Sequence, residues 1–161
     1  MNDGWMVTRR HRVEVRLTDR RSLVGDIHLQ PTARLHAGAE TPSDLLNREE
    51  PFFALMLEGE QPLFVAKAQV LYLQLPPQPA IDDPERASAA RRIELEIELA
   101  DGSLHEGVVM IELPPDRLRA LDFLNVAPPF FPLWAPEWVR IVNRSHLRAA
   151  SPLVDVRRAA P

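Results

Sequence analysis

The 161-residue chain contains no cysteine. That absence removes a disulfide framework, a cysteine-ligated zinc site and a thiol nucleophile from consideration. Lysine is nearly as scarce: Lys67 is the single lysine among 19 basic residues, set against 23 acidic ones. The formal charge of −4 argues against a domain whose main work is gripping phosphate backbones. Long apolar runs are missing too. The longest, Val126 to Ala135, is short and broken by proline, far below the roughly 20 residues a spanning helix needs. Residues Met1 to Arg12 carry charges and no apolar stretch of signal-peptide length. A soluble, cytoplasmic protein without membrane insertion is therefore expected.

Catalytic constellations are equally sparse. The five histidines, His11, His28, His36, His105 and His146, include no i, i+4 pair of the kind that ligates a metal on a helix, so surface or strand-edge positions are expected for them. No serine lies in a G-x-S-x-G elbow, and neither a G-x-G-x-x-G nor a P-loop sequence occurs. Glu94, Glu96 and Glu98 could suggest paired carboxylates, but their period of two places them on one solvated sheet face. A non-enzymatic protein without cofactor or metal is expected.

What the chain does contain is a duplication. Val13-Glu-Val-Arg-Leu-Thr-Asp19 matches Leu95-Glu-Ile-Glu-Leu-Ala-Asp101, and a glycine follows each aspartate by six residues, at Gly25 and Gly107. Asp44-Leu45-Leu46-Asn47 matches Asp122-Phe123-Leu124-Asn125, and Pro-Phe-Phe-x-Leu follows each, at Pro51 to Leu55 and Pro129 to Leu133. Phe64 to Val70 parallels Ile141 to Leu147. The shared order of these signatures sets a first repeat at 12–75 and a second at 92–149. Between them, 76–91 is rich in proline and small residues and reads as a linker; 150–161 reads as a loosely held tail.

Strand signals dominate each repeat. Val13, Val15 and Leu17 alternate with Glu14, Arg16 and Thr18, and Ile93, Leu95, Ile97 and Leu99 alternate with glutamates. Turns are predicted at Asp19 and at Asp101-Gly102, and then long second strands near Ser22 to Leu29 and Ser103 to Leu113. Gly25 and Gly107 fall inside those strands, where glycine permits a bulge or sharp bend. Each Asp-Leu/Phe-Leu-Asn element reads as a short helix. Thr41 caps the first, Pro42 opens it and Asp44 completes the cap, while the second runs from Pro115 to Leu124. Asn47 and Asn125 then fit left-handed C-terminal positions. Three short strands close each half, at about 52–57, 62–67 and 68–74, then 129–134, 137–143 and 146–149.

Leu17-Thr-Asp-Arg-Arg-Ser-Leu-Val-Gly25, its copy Leu99-Ala-Asp-Gly-Ser-Leu-His-Glu-Gly107 and the closing Ile141-Val-Asn-Arg-Ser-His-Leu147 resemble the Sm/Lsm family. The Asp-Phe-Leu-Asn insert is similar to that of bacterial Sm-like proteins. The resemblance implies a mainly β protein of two tandem five-stranded small barrels, each with a helical insert between strands two and three. In that setting Leu45, Leu46, Phe123 and Leu124 would cap the open barrel ends. Asp44, Asn47, Asp122 and Asn125 would bond local backbone at the helix ends.

The resemblance also implies RNA binding, with Asn143, Arg144 and His146 as contacts and Lys67 as their weak counterpart, although the closing loop matches the family only in part. Nucleic acid is disfavoured by the acidic pI of about 5.7. Arg16-x-x-x-Arg20 has the spacing of PilZ-like cyclic-dinucleotide binders, whose Asp-x-Ser-x-x-Gly is similar to Asp101-Gly-Ser103-Leu-His-Glu-Gly107, one residue longer and in the other repeat. The stretch Pro128 to Val139 packs two phenylalanines and two tryptophans among prolines. Their alternation leaves two readings: both faces are buried, one in the barrel and one under the helix, or Phe130, Trp134 and Trp138 are the candidate protein interface, because small repeats cannot easily bury every such side chain. The leading expectation is an adaptor or assembly subunit that binds a protein partner or itself, edge strand to edge strand.

Overall fold

The alternating segment at the start of the first repeat forms β1 (Arg9–Leu17), which turns through Asp19 into β2 (Ser22–Leu29). A loop leads to α1 (Pro42–Asn47), and β3 (Phe52–Met56), β4 (Pro62–Ala66) and β5 (Val70–Leu75) follow. The second half repeats the series: β6 (Arg91–Leu99), β7 (Leu104–Ile111), α2 (Ala120–Val126), β8 (Phe130–Trp134), β9 (Val139–Asn143) and β10 (Leu147–Pro152). The computed structural model describes residues 9–34, 36–77, 91–111 and 119–153. Most of the expected linker, and the start of the expected second helix, lie outside the described residues.

The duplication holds at the level of hydrogen-bond register. Val13 faces Gly25 in the first half, and Leu95 faces Gly107 in the second. Val15 faces Leu73, and its counterpart Ile97 faces Ala150; both ladders then shift register at the same place, beside Leu17 and Leu99. Turn bonds match as well. The Leu17 and Leu99 amides donate to the Arg21 and Ser103 carbonyls, and the Asp19 and Asp101 carboxylates accept from the Arg21 and Ser103 amides.

The strands nevertheless do not close into two five-stranded barrels. They form one ten-stranded antiparallel sheet in the order β10-β6-β7-β8-β9-β5-β1-β2-β3-β4. The reason is the ladder between β5 and β9, where Tyr72, Leu73, Gln74 and Leu75 pair with Val142, Ile141, Arg140 and Val139. Edges that would otherwise have faced solvent or closed a barrel are joined to each other, so the five-strand orders run on as one sheet.

Two hydrophobic clusters serve this sheet, and both draw on both repeats. One gathers Val13, Val15, Leu46, Phe53 and Leu55 of the first half with Phe130, Trp134, Val139 and Ile141 of the second. The other gathers Leu95, Ile97, Val109, Phe131 and Leu133 with Leu71 and Tyr72 of the first half. Strands β5, β8 and β9 are buried on both faces because each sends alternate side chains to a different cluster.

Beside Gly25 and Gly107 the ladders to the next strand are short. The pairing of β2 with β3 is reduced to Asp26 opposite Met56, and that of β7 with β8 to Val108 opposite Trp134. A Cβ on Gly25 would lie 2.6 Å from the Met56 carbonyl oxygen, and one on Gly107 2.6 Å from Leu133 Cγ. Only glycine lets the two backbones approach so closely.

The helices match in position and differ in burial. Helix α1 has the expected capping box, with Thr41 Oγ1 accepting from the Asp44 amide and Asp44 Oδ2 from the Thr41 amide, and Pro42 in its first turn. Neither Asn47 nor Asn125 is a left-handed terminator: both lie within the last helical turn, and the chain leaves each helix in an extended conformation. Leu45 and Leu46 are buried as expected, whereas Phe123 and Leu124 of α2 are only half-buried. Strand β10 also runs to Pro152, so residues 150–152 belong to the sheet rather than to a tail.

Two contrasts test this packing by urea unfolding. Gly25→Ala and Gly107→Ala should each lose roughly 1–3 kcal/mol, the usual penalty of overpacking. Leu46→Ala should lose about 2–5 kcal/mol, and Leu124→Ala distinctly less, because Leu124 is less completely buried than Leu46.

Candidate functional site

The junction of the repeats holds most of the residues that sequence reasoning singles out. Phe130 and Trp134 are 4% and 9% exposed, inside the cluster formed with the first repeat. The face they occupy is thus already covered by the chain itself. Asn47 fastens it: its Nδ2 donates to the Phe130 carbonyl and its Oδ1 accepts from the Phe130 amide, both at 2.9 Å. This amide clamp reaches across the repeats rather than to local backbone. Trp138 is half-buried and lies against the guanidinium of Arg140, 3.8 Å from the ring centre. Arg140 also donates to Gln74, its partner across the junction ladder.

Lys67 and Arg144 occupy equivalent places and do equivalent work. Lys67 is buried, and its Nζ donates to the Arg48 carbonyl at the exit of α1. Arg144 donates to the Ala127 carbonyl at the exit of α2. The amides of the two residues donate to the Pro51 and Pro129 carbonyls. Each cation thereby holds the end of its helix against the closing turn, and burial lowers the Lys67 pKa. Asn143 is 3% exposed and donates to the Lys67 and Val70 carbonyls of the first repeat. His146 hydrogen-bonds the Ala68 carbonyl. The four candidate RNA contacts are therefore brought together at the paired closing turns, with their polar atoms engaged inside the chain.

The same junction carries a polar chain that the sequence did not disclose. Asp101 and Ser103, in the turn before β7, and His105, at its start, are linked by hydrogen bonds. Ser103 Oγ donates to Asp101 Oδ1 at 2.5 Å and lies 2.7 Å from His105 Nε2. His105 Nδ1 faces Arg140, whose guanidinium can only donate. His105 must then carry its proton on Nε2 and donate it to Ser103. The serine thus meets an N–H rather than a basic nitrogen, the reverse of what an activated nucleophile needs. His105 is not a surface histidine: it is 8% exposed and stands edge-on to Tyr72. Burial, reinforced by the Arg140 charge, lowers its pKa to about 4. Asp101 stays below the usual carboxylate range although burial opposes this, because the Ser103 hydroxyl and amide both donate to it.

Arg16 and Arg20 also converge here. Arg20 donates to the Asp101 carbonyl and Arg16 to the Arg20 carbonyl, so segments 81 residues apart in sequence meet at one surface.

Beyond the junction, the sheet formed by the described residues has β4 and β10 as its two edges. On the β4 side Phe52 and Phe64 are 56% and 70% exposed, the most open phenylalanines among the described residues. Beside them lies a groove of about 360 Å³ lined by His28, Leu45, Phe52, Met56 and Lys67, among others. Among the described residues no helix is long and apolar enough to cross a membrane, and no group of three histidine or acidic side chains is placed to hold a metal ion. No protein-family model matches the chain, and no curated protein or solved structure matches it.

The buried neutral histidine sets a pH dependence. The folded pKa of His105 lies below its ordinary value of 6.5, so between the two the unfolded chain binds a proton that the folded chain excludes. Stability from this group is full above pH 6.5, falls as pH drops toward 4, and changes no further below that. The loss should be about 2 kcal/mol after allowance for water at the sheet surface. Denaturant unfolding at a series of pH values should show this slope in the native protein, and His105→Gln should remove that part of it.

Proposed function

We propose that the protein is a non-enzymatic assembly module that docks a protein partner on the β3–β4 edge of its first repeat. The observation that carries this reading is the exposure of Phe52 and Phe64 beside a groove lined by both apolar and charged side chains, on a strand that is an edge of the sheet among the described residues. Unpaired strand edges present rows of amide and carbonyl groups that favour pairing with another chain. Large exposed aromatics raise the cost of leaving such an edge in water. Two Sm-like small β-folds joined edge to edge is the architecture this reading implies, and the five-strand order repeated in both halves supports it. The engagement of Ser103, His105 and Asp101 with one another also favours a structural use of the polar residues over catalysis.

A second reading, a cyclic-dinucleotide sensor, draws on the meeting of Arg16 and Arg20 with Asp101 and Ser103. It is the weaker one, because Arg20 and Ser103 already bond within the chain. Calorimetric titration with a cyclic dinucleotide separates the two: heat of binding that Arg20→Ala abolishes would favour the sensor.

The docking reading is tested by placing a photo-crosslinking amino acid at position 64 in cells. A discrete protein adduct is expected there, and none from the same group at Thr18, in the turn after β1. Absence of any protein adduct at 64 would overturn the reading.

A further inference from the structure

The internal junction of the two repeats is a template for a second junction, which only another copy of the chain can complete. Within the chain, the β8–β9 side of the second repeat docks on β5 and α1 of the first. Because the repeats share register, the first repeat has the same docking side in β3–β4, and the second repeat has the same receiving side in β10 and α2. Among the described residues both are outer edges of the sheet. We infer that the partner of the β3–β4 edge is a second copy of this protein, bound head to tail through its β10 edge and α2. The inference rests on the reading of that edge as a protein-docking surface.

The details of the internal junction carry over position by position. Phe52 is the counterpart of Phe130, Met56 of Trp134, and Phe64 of Ile141. Phe130, Trp134 and Ile141 are all buried against the first repeat, at 4%, 9% and 2% exposure, whereas Phe52 and Phe64 stand at 56% and 70%. The receiving side differs in the matching sense. Leu121 and Val126 of α2 are 64% and 59% exposed, and Leu124 is half-buried where its counterpart Leu46 is 1% exposed. Helix α1 is covered because β8 lies on it; α2 has no such cover among the described residues. Asn125, the counterpart of the Asn47 clamp, is exposed and placed to grip the backbone of Phe52 in the next copy as Asn47 grips that of Phe130.

Register and volume agree. Translating the β5–β9 ladder onto the free edges sets Val65 opposite Ala149, Phe64 opposite Ala150 and Leu63 opposite Ser151, with Pro62 opposite Pro152 at the end. The two prolines lack amide donors, which limits the ladder to the first three positions. Where Leu73 meets Ile141 inside the chain, the larger Phe64 would meet the smaller Ala150, so the layer is filled by different side chains. A contact between two different surfaces repeats from copy to copy, and either closes into a ring or extends as a chain.

The whole protein is tested by light scattering coupled to size-exclusion chromatography, with circular dichroism to confirm folding of each variant. The native chain should run above its monomer mass, and Phe64→Asp, at an exposed position, should run as a monomer. Ala149→Asp on the opposite edge should do the same. Mixing the two variants should restore a dimer and nothing larger, because each retains the edge that the other lacks. Asn125→Ala should weaken association about tenfold. A native chain that stays monomeric at high concentration, or a pair of variants that fail to associate when mixed, would overturn the inference. If the chain is monomeric while position 64 still crosslinks to a different protein, the docking reading stands and the second-copy inference falls. If position 64 yields no adduct, both fall.

Discussion

The ladder between β5 and β9 is the constraint on which the rest of the molecule depends. It joins the last strand of the first repeat to the fourth strand of the second, in four consecutive antiparallel pairs. A backbone ladder at that place has two effects. It satisfies amide and carbonyl groups that would otherwise face water or an unfilled edge. It also makes both strands interior, so β5 and β9 are buried almost throughout, and their polar members Gln74, Arg140 and Asn143 find partners within the chain. The two hydrophobic clusters are shared between repeats as a direct result. Neither repeat encloses its core alone.

Polar residues at the junction follow from the same constraint. Once the two closing turns lie side by side, Asn143 can satisfy carbonyls of the first repeat, and Asn47 can clamp the start of β8. Arg140 sits opposite Gln74 in the ladder and orients His105, Tyr72 and Trp138 around it. An always-charged donor beside Nδ1 decides the histidine tautomer, and the tautomer decides that Ser103 is a relay and not a nucleophile. Placement of one arginine thus removes a chemistry that Asp101, Ser103 and His105 could otherwise suggest.

Duplication followed by divergence explains where the two halves now differ. Positions in the internal junction are filled: Leu46 is covered, Asn47 is bonded, and Phe130 is buried. Their counterparts at the outer edges, Leu124, Asn125 and Phe52, keep the same residue types in open positions. Aromatic exposure at one edge and a half-covered helix at the other thus stand at the positions equivalent to the two sides of the internal junction.

Much of this was determined by the sequence itself. Alternation in Val13 to Leu17 and Ile93 to Leu99, the Asp turns and the Thr41-Pro42-Asp44 cap are local signals, and each produced its expected element because strand period, turn chemistry and capping act over a few residues. The duplication was legible for the same reason. Only the tertiary structure decided how the repeats join. Period-two patterns state that a strand has an apolar face but not which partner covers it, so one continuous sheet and two closed barrels are equally compatible with them. The aromatic segment around Phe130 and Trp134 read as surface or core with equal warrant until β5 was found beside β9. Lys67, Arg144 and Asn143 looked like contacts for a ligand because a polar residue in a turn carries no record of the carbonyl it will meet. His105 gave no signal of burial, since its environment is built by Tyr72 and Arg140 from distant strands, and only folding brings their rings and charge within reach.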